Sequence, residues 1–78
     1  MSDLRNRTIK IFSKIMEVEE SSVTDNSSPD NVAGWDSLTH IELISALEEE
    51  FSIQISPEDS IDLENFQMLI SFLEQKAG

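Results

Sequence analysis

Hydrophobic residues recur at helical spacing near the start of the chain. From Asp3 to about Val18 they lie three, four or seven residues apart, with cations between them. An α-helix turns once in about 3.6 residues, so this spacing gathers them on one face. These positions are Leu4, Ile11, Phe12, Ile15 and Met16. The pattern predicts an amphipathic first helix.

A polar, turn-rich segment follows, from Glu19 to Trp35. Its few hydrophobic anchors are Val23, Val32, Ala33 and Trp35. Unstructured connections longer than about 12–15 residues are uncommon in compact domains unless they are functional or pack as an ordered loop. We therefore expect this long loop to position another part of the protein.

The second helix is predicted from Ser37 to about Phe51, with Asp36 as its N-cap. The Asp36 carboxylate can accept N–H bonds of the first turn and complements the helix dipole. On a helical wheel the core face holds Leu43, Ile44, Leu47 and Phe51. Leu38 falls among carboxylates on the opposite side, and Ile41 lies on the border between the two faces.

An exposed ridge on this helix is predicted beside Ser37, formed by Leu38, Ile41, Glu42 and Glu49. A single exposed leucine carries little information, because most protein surfaces contain some. A hydrophobic ridge rimmed by carboxylates is more informative, since it is complementary to a basic groove. The ridge therefore predicts a docking surface for a basic partner.

The remainder of the chain predicts two further helices. Residues 52–56 alternate like an edge strand, but no other segment offers that strand a partner. Ser56 and Pro57 instead indicate the cap and first turn of a short helix ending at Ile61. A last helix is predicted from about Asn65 to Lys76, with Phe66, Leu69, Ile70 and Leu73 on its core face. The elements predict an all-α fold with three main helices, a long first loop and a short third helix.

Composition narrows the possible functions. The 78 residues include 16 Asp and Glu against 5 Lys and Arg, a formal charge of −11. A chain this short supports one core and one domain, 1–78, with little room for a deep active site. It has no cysteine and one histidine, His40. This excludes most metal and hydrolase chemistry, so we expect a protein that carries or binds rather than an enzyme, with no metal site and no catalytic residues.

The charge distribution indicates where the protein acts and what it binds. Four of the five cations lie in the first fourteen residues, and the fifth is Lys76. Such a surface repels nucleic acids and anionic lipids. The longest apolar runs fall far short of the roughly 20 residues needed to cross a bilayer, and no signal-peptide stretch opens the sequence. We expect a cytoplasmic monomer with basic protein partners.

Ser37 is the most informative single residue. A serine at a helix start is ordinarily a cap, but Asp36 already supplies one here. The flanking sequence lacks the G-x-S-x-G form of a serine nucleophile, and only His40 is a conceivable base. A hydroxyl at a helix start, after a long loop and in front of a docking ridge, is well placed for modification by another protein.

The segment Gly34–Leu38, followed by Ile41–Leu43 and Ala46–Phe51, resembles the prosthetic-group motif and second helix of the acyl carrier proteins. The similarity extends over the whole chain, because that family is a four-helix bundle of about this length with a long first loop and a short third helix. It implies that a phosphopantetheinyl transferase attaches 4′-phosphopantetheine to Ser37 through a phosphodiester. Asp36 and Leu38 would flank the cofactor.

The resemblance also implies a mode of action. The thiol of the attached arm would hold an acyl or aminoacyl group and present it to loading and acyl-using enzymes with basic docking grooves. The partner contacts implied are Leu38, Ile41, Glu42, Ser45, Glu48 and Glu49. Many relatives have a bulkier apolar residue at Ser45. The pathway, whether fatty acid, polyketide or nonribosomal peptide biosynthesis, stays open.

Departures from the common fatty-acid form indicate a specialised, stand-alone carrier. They are Ala33, Trp35 and Thr39, where leucine, a small residue and an acidic residue are usual. Trp35 either pins the end of the loop or contacts the arm. His40 is either a partly exposed edge residue or narrows the entrance through which an acyl chain would slip between helices.

Two rival functions remain at the level of sequence. The first is an acidic helical adaptor without a prosthetic group, whose ridge binds one basic partner. The second is a hydrolase that uses Ser37 and His40, although neither an oxyanion hole nor an orienting carboxylate is evident.

Overall fold

Four α-helices follow one another along the chain: α1 (Asp3–Met16), α2 (Ser37–Phe51), α3 (Pro57–Ile61) and α4 (Phe66–Ala77). A computed structural model gives these elements and describes residues 3–77. A 3₁₀ turn, Glu20–Ser22, lies in the loop between α1 and α2. No strand occurs within residues 3–77, and the prediction of an all-α, four-helix fold is confirmed.

The C-terminal ends of α1 and α2 are closed in the same way. Glu17 and Ser52 both adopt the left-handed conformation, with φ of 59° and 55°. The N–H of Val18 donates to Ser13 O at 3.1 Å, and that of Ile53 donates to Glu48 O at 3.1 Å. This bonding pattern ends a helix by satisfying its last carbonyls. α1 therefore stops at Met16, two residues before the predicted end.

The core lies between α1, α2 and α4. Its fully buried hydrophobic side chains are Phe12, Leu43, Leu47, Phe66, Leu69 and Leu73. The rings of Phe12 and Phe66 meet edge to face, with their centroids 5.4 Å apart. The predicted core face of α4 is confirmed. Phe51, predicted on the core face of α2, packs against this core but is only half-buried, with the Arg7 guanidinium 4.7 Å from its ring centroid.

The long loop is ordered and supports α4. Ser27 O accepts a hydrogen bond from the Phe66 N–H at 2.8 Å, and Asp25 O accepts one from the Gln67 N–H at 3.2 Å. The first N–H groups of a helix have no partner within the helix, so the loop carbonyls satisfy them. Asn65 adds its side-chain oxygen, which accepts from the Met68 N–H at 2.8 Å.

The connection between α2 and α3 is extended but unpaired. One carboxylate oxygen of Glu48 accepts a hydrogen bond from the Ile55 N–H at 2.8 Å, and the Ile55 side chain is buried. Ser56 then caps α3, since its hydroxyl accepts from the Asp59 N–H at 3.1 Å. Pro57 occupies the first helical position, as predicted.

Candidate functional site

The end of the loop is held tightly against α1. A Cβ atom on Gly34 would lie 2.6 Å from the carbonyl oxygen of Met16, so only glycine fits without a shift of the backbone. The next residue, Trp35, is 2% exposed, and its ring meets Phe12 edge to face at 5.1 Å. These contacts fix the chain just before α2 begins. Trp35 thus pins the end of the loop, which is one of the two roles predicted for it.

Asp36 and Thr39 form a reciprocal cap at the start of α2. The Asp36 carboxylate accepts from the Thr39 N–H at 3.0 Å, and the Thr39 hydroxyl accepts from the Asp36 N–H at 2.9 Å. The Thr39 hydroxyl also donates to Gly34 O. The hydrogen bond from the Thr39 N–H is the main reason that the pKa of Asp36 lies below its usual value.

Ser37 is the first residue of α2, and its side chain is exposed. Within the part of the chain that the structure describes, its hydroxyl makes no hydrogen bond. Since Asp36 and Thr39 complete the cap between them, the Ser37 hydroxyl is not needed for helix stability. It is free to react with another molecule.

His40 cannot serve as a base for Ser37, because both of its ring nitrogens are engaged elsewhere. The Trp35 indole N–H donates to Nδ1 of His40 at 3.0 Å. An indole nitrogen can only donate, so Nδ1 is the unprotonated nitrogen and the proton lies on Nε2. Nε2 then donates to Ser60 O at 2.8 Å. This arrangement argues against a hydrolase that uses Ser37 and His40.

The predicted docking ridge lies at the surface of α2. Leu38 is 65% exposed and Ile41 is 64% exposed. The side chains of Glu42, Ser45 and Glu49 are also exposed, whereas that of Glu48 is half-buried and bonds the Ile55 N–H. The ion pairs found within residues 3–77 involve Asp3, Asp25 and Glu50 and none of the ridge carboxylates. The carboxylates of the ridge, Glu42 and Glu49, therefore stay outside the ion pairs of the described residues.

Sequence reasoning missed Ile61 as a surface residue of the same region. It ends α3, is 73% exposed and lines a groove next to Ser37. A helix of five residues is too short for hydrophobic periodicity to assign a face to each side chain. The sequence offers one weak signal that Ile61 is exposed: the four residues before it, 57–60, are polar or turn-forming.

Two further classes of site are not found in the described residues. No helix between residues 3 and 77 is long and apolar enough to span a membrane. That same range contains no group of three or more His, Asp or Glu side chains placed to hold a metal ion.

Comparison with known proteins identifies the class. The family model for the phosphopantetheine attachment site matches residues 6–73. The chain therefore belongs to this phosphopantetheine-binding family of carriers. It is 37% identical over 76 residues to the acyl carrier protein of Buchnera aphidicola subsp. Schizaphis graminum (strain Sg), a match that covers 97% of this chain and 96% of that protein.

Membership of the acyl carrier family, predicted from the motif around Ser37, is thus confirmed. The cofactor of the family is 4′-phosphopantetheine, and its members are carriers rather than enzymes. The comparisons do not favour the adaptor without a prosthetic group.

The residues at the start of α2 fit such a cofactor. The exposed Ser37 hydroxyl can form a phosphodiester, and the first turn of this 15-residue helix offers N–H groups and a positive dipole end to a phosphate. The Asp36 carboxylate would partly oppose the charge of that phosphate. The groove that Ser37 and Trp35 line would give the remainder of the arm a surface to lie on.

Proposed function

We propose that residues 1–78 form one carrier domain, which tethers acyl or aminoacyl groups as thioesters on a 4′-phosphopantetheine arm attached to Ser37. The observation that carries this proposal is the Ser37 hydroxyl, exposed at the first turn of α2 and relieved of any capping role by Asp36 and Thr39. When bound, the cofactor supplies the thiol that a cysteine-free chain lacks.

The attachment step is a phosphoryl transfer from coenzyme A, catalysed by a phosphopantetheinyl transferase. A bond forms between Ser37 Oγ and the phosphorus that bears the pantetheine. The pyrophosphate bond of coenzyme A breaks, and 3′,5′-adenosine bisphosphate leaves with the electron pair. The hydroxyl proton passes to a base of the transferase, since His40 holds both its ring nitrogens in other hydrogen bonds.

Docking to the transferase and to the acyl-loading and acyl-using enzymes uses the ridge. Leu38 and Ile41 provide exposed hydrophobic surface, and Glu42, Glu48 and Glu49 surround it with negative charge. Ser45 lies on the same exposed side. Such a surface is complementary to a groove lined by Lys and Arg. The net charge of −11 disfavours self-association, which supports a monomer, and we place its action in the cytoplasm.

Intact mass measurement tests the proposal. The purified protein is incubated with coenzyme A and a transferase of broad specificity. The unsubstituted protein and the matched control Ser71→Ala, which removes an exposed serine of α4, should each gain one phosphopantetheine. Ser37→Ala should gain none. An unchanged mass for the unsubstituted protein, or a modification that persists in Ser37→Ala, would support the adaptor instead.

A further inference from the structure

A groove of about 690 Å³ runs beside Ser37, between the end of the loop, α2 and α3. Trp35 and His40 form part of its wall, with Ile61 and Leu63 across from the helix start. Polar groups also line it, among them Asp30, Asp36, Ser60 and Glu64. An acyl group on an arm attached to Ser37 therefore meets a surface that is partly hydrophobic and partly polar.

A continuous hydrogen-bond chain forms part of the wall of this groove, where the end of the loop, α2 and α3 meet. It consists of the Trp35 indole N–H, the His40 imidazole and the Ser60 carbonyl, and we call it the latch. Its two hydrogen bonds measure 3.0 and 2.8 Å, and the Trp35 and His40 rings stack at 6.0 Å. The latch thus joins the loop, α2 and α3 at one point.

The space behind the latch is filled. The Trp35 ring packs edge to face on Phe12, and Phe12 does the same on Phe66. Leu43 and Leu47 on the core side of α2 are fully buried. Protein interiors are packed like organic crystals, so an entering alkyl chain has to displace side chains as well as break both hydrogen bonds of the latch.

The length of an acyl chain determines how much free energy it gains by entering the interior between α2 and α3. Burial of each methylene shifts an equilibrium about fourfold, so a short acyl group gains little from entering. A short or polar group loses nothing by staying in the groove, where Ser60 and Glu64 offer polar contacts. Only a long apolar chain would gain enough to compete with the closed latch.

We infer that His40, held by Trp35, is a specificity-determining residue of this carrier. The latch keeps the thioester-linked acyl group out of the space between α2 and α3, and the groove suits short or polar acyl and aminoacyl groups. The inference rests on the proposed function, because the groove matters only if Ser37 bears the arm.

The test compares cargo protection with and without the latch. The unsubstituted protein, His40→Ala and Ser71→Ala are each loaded with butyryl and with decanoyl pantetheine, and thioester hydrolysis is followed at fixed pH. Ser71→Ala is the matched control, since it removes an exposed serine of α4 that belongs neither to the groove nor to the latch. In the unsubstituted protein and the control, the two half-lives should agree within about twofold. In His40→Ala, the decanoyl thioester should last at least about fivefold longer than the butyryl one.

A spectroscopic readout follows the latch directly. Trp35 is the only tryptophan, so its indole N–H gives a single NMR signal. That signal should keep its position when butyryl is replaced by decanoyl in the unsubstituted protein. A shift of the signal together with strong protection of decanoyl would overturn the inference, and so would equal half-lives in His40→Ala. Trp35→Phe, which keeps the aromatic packing but loses the N–H donor, repeats the test if His40→Ala does not fold.

Failure of the inference can be told apart from failure of the proposed function. If the transferase leaves Ser37 bare, the proposed function fails. The chain has no cysteine, so Ser37→Cys then provides a unique thiol that takes butyl and decyl iodoacetamides with a pantetheine-length spacer. The Trp35 signal in these adducts, with and without His40→Ala, still decides whether the latch excludes the longer chain.

Discussion

α1 and α2 are nearly equal in length, 14 and 15 residues, yet they use their surfaces in opposite ways. α1 carries four cations and pairs two of them with acids elsewhere in the fold, Arg5 with Asp25 and Arg7 with Glu50. α2 carries carboxylates and no cation. Within residues 3–77, α1 exposes no large hydrophobic side chain, whereas α2 exposes Leu38 and Ile41.

Contacts within the fold therefore cover the surface of α1 more fully than that of α2. The hydrophobic groups of α1 and two of its four cations are matched by contacts inside the molecule. α2 is matched on one face only, where Leu43, Ile44 and Leu47 are buried. Its other face combines exposed hydrophobic surface with unpaired negative charge, which is the composition of a docking site for a basic partner.

The largest effect is expected on the buried face of α2. Leu47→Ala removes a fully buried side chain, and such substitutions lower the free energy of unfolding by about 2–5 kcal/mol. For a domain of this size that loss is a large part of the total stability. Urea unfolding followed by circular dichroism measures it. A loss below about 1 kcal/mol would show that the core around α2 repacks freely.

On the exposed face, substitution should affect docking and leave stability alone. Leu38→Ala should change the free energy of unfolding by less than about 0.5 kcal/mol. It should lower kcat/KM for modification of Ser37 by the transferase about tenfold, which is typical for loss of an interface anchor. Met68→Ala removes another exposed hydrophobic side chain, on α4, and serves as the control. Equal rates for the two variants would remove Leu38 from the docking surface.

The sequence predicts the bounds of a helix correctly where capping residues mark its ends. The bounds of α2 and α3 agree with the prediction, because Asp36 and Ser56 cap them and Pro57 fits the first turn of α3. The predicted end of α1, Val18, lies two residues beyond the observed end at Met16. Glycine is the usual residue in the left-handed position after a helix, and Glu17 occupies it here without such a signal.

In the candidate site, too, the sequence predicts the features that depend on neighbouring residues and misses those that depend on distant ones. The roles of Asp36 as a cap and of Leu38 as an exposed residue follow from the sequence near Ser37. The latch does not, since His40 and Ser60 lie 20 residues apart and meet only because α3 folds over the start of α2. Contacts between distant segments depend on the packing of whole elements, which periodicity within one helix does not report.

The smallest change in stability is expected from the charge of Asp36, the N-cap of α2. The pKa of Asp36 is lowered in the fold, chiefly by the Thr39 N–H, from an ordinary value of 3.8. A carboxyl whose pKa is depressed on folding stabilises the folded state above its unfolded pKa, and loses that contribution as the pH falls through its folded pKa. The contribution of Asp36 should therefore be complete at neutral pH and disappear in acid.

Asp36→Asn isolates this charge, because asparagine is also a good N-cap but does not titrate. The unsubstituted protein should melt at a slightly higher temperature than Asp36→Asn at neutral pH. The difference should begin to shrink as the pH falls below about 4 and should vanish below the folded pKa of Asp36. Asp36→Ala loses the cap as well as the charge, so it should melt lower than Asp36→Asn throughout. A gap between the unsubstituted protein and Asp36→Asn that does not depend on pH would mean that the hydrogen bond matters and the charge does not. In that case the Asp36 charge would add nothing to the start of α2, and the internal use of acidic groups by this helix would rest on Glu50, which pairs with Arg7, and on Glu48, which accepts from the Ile55 N–H.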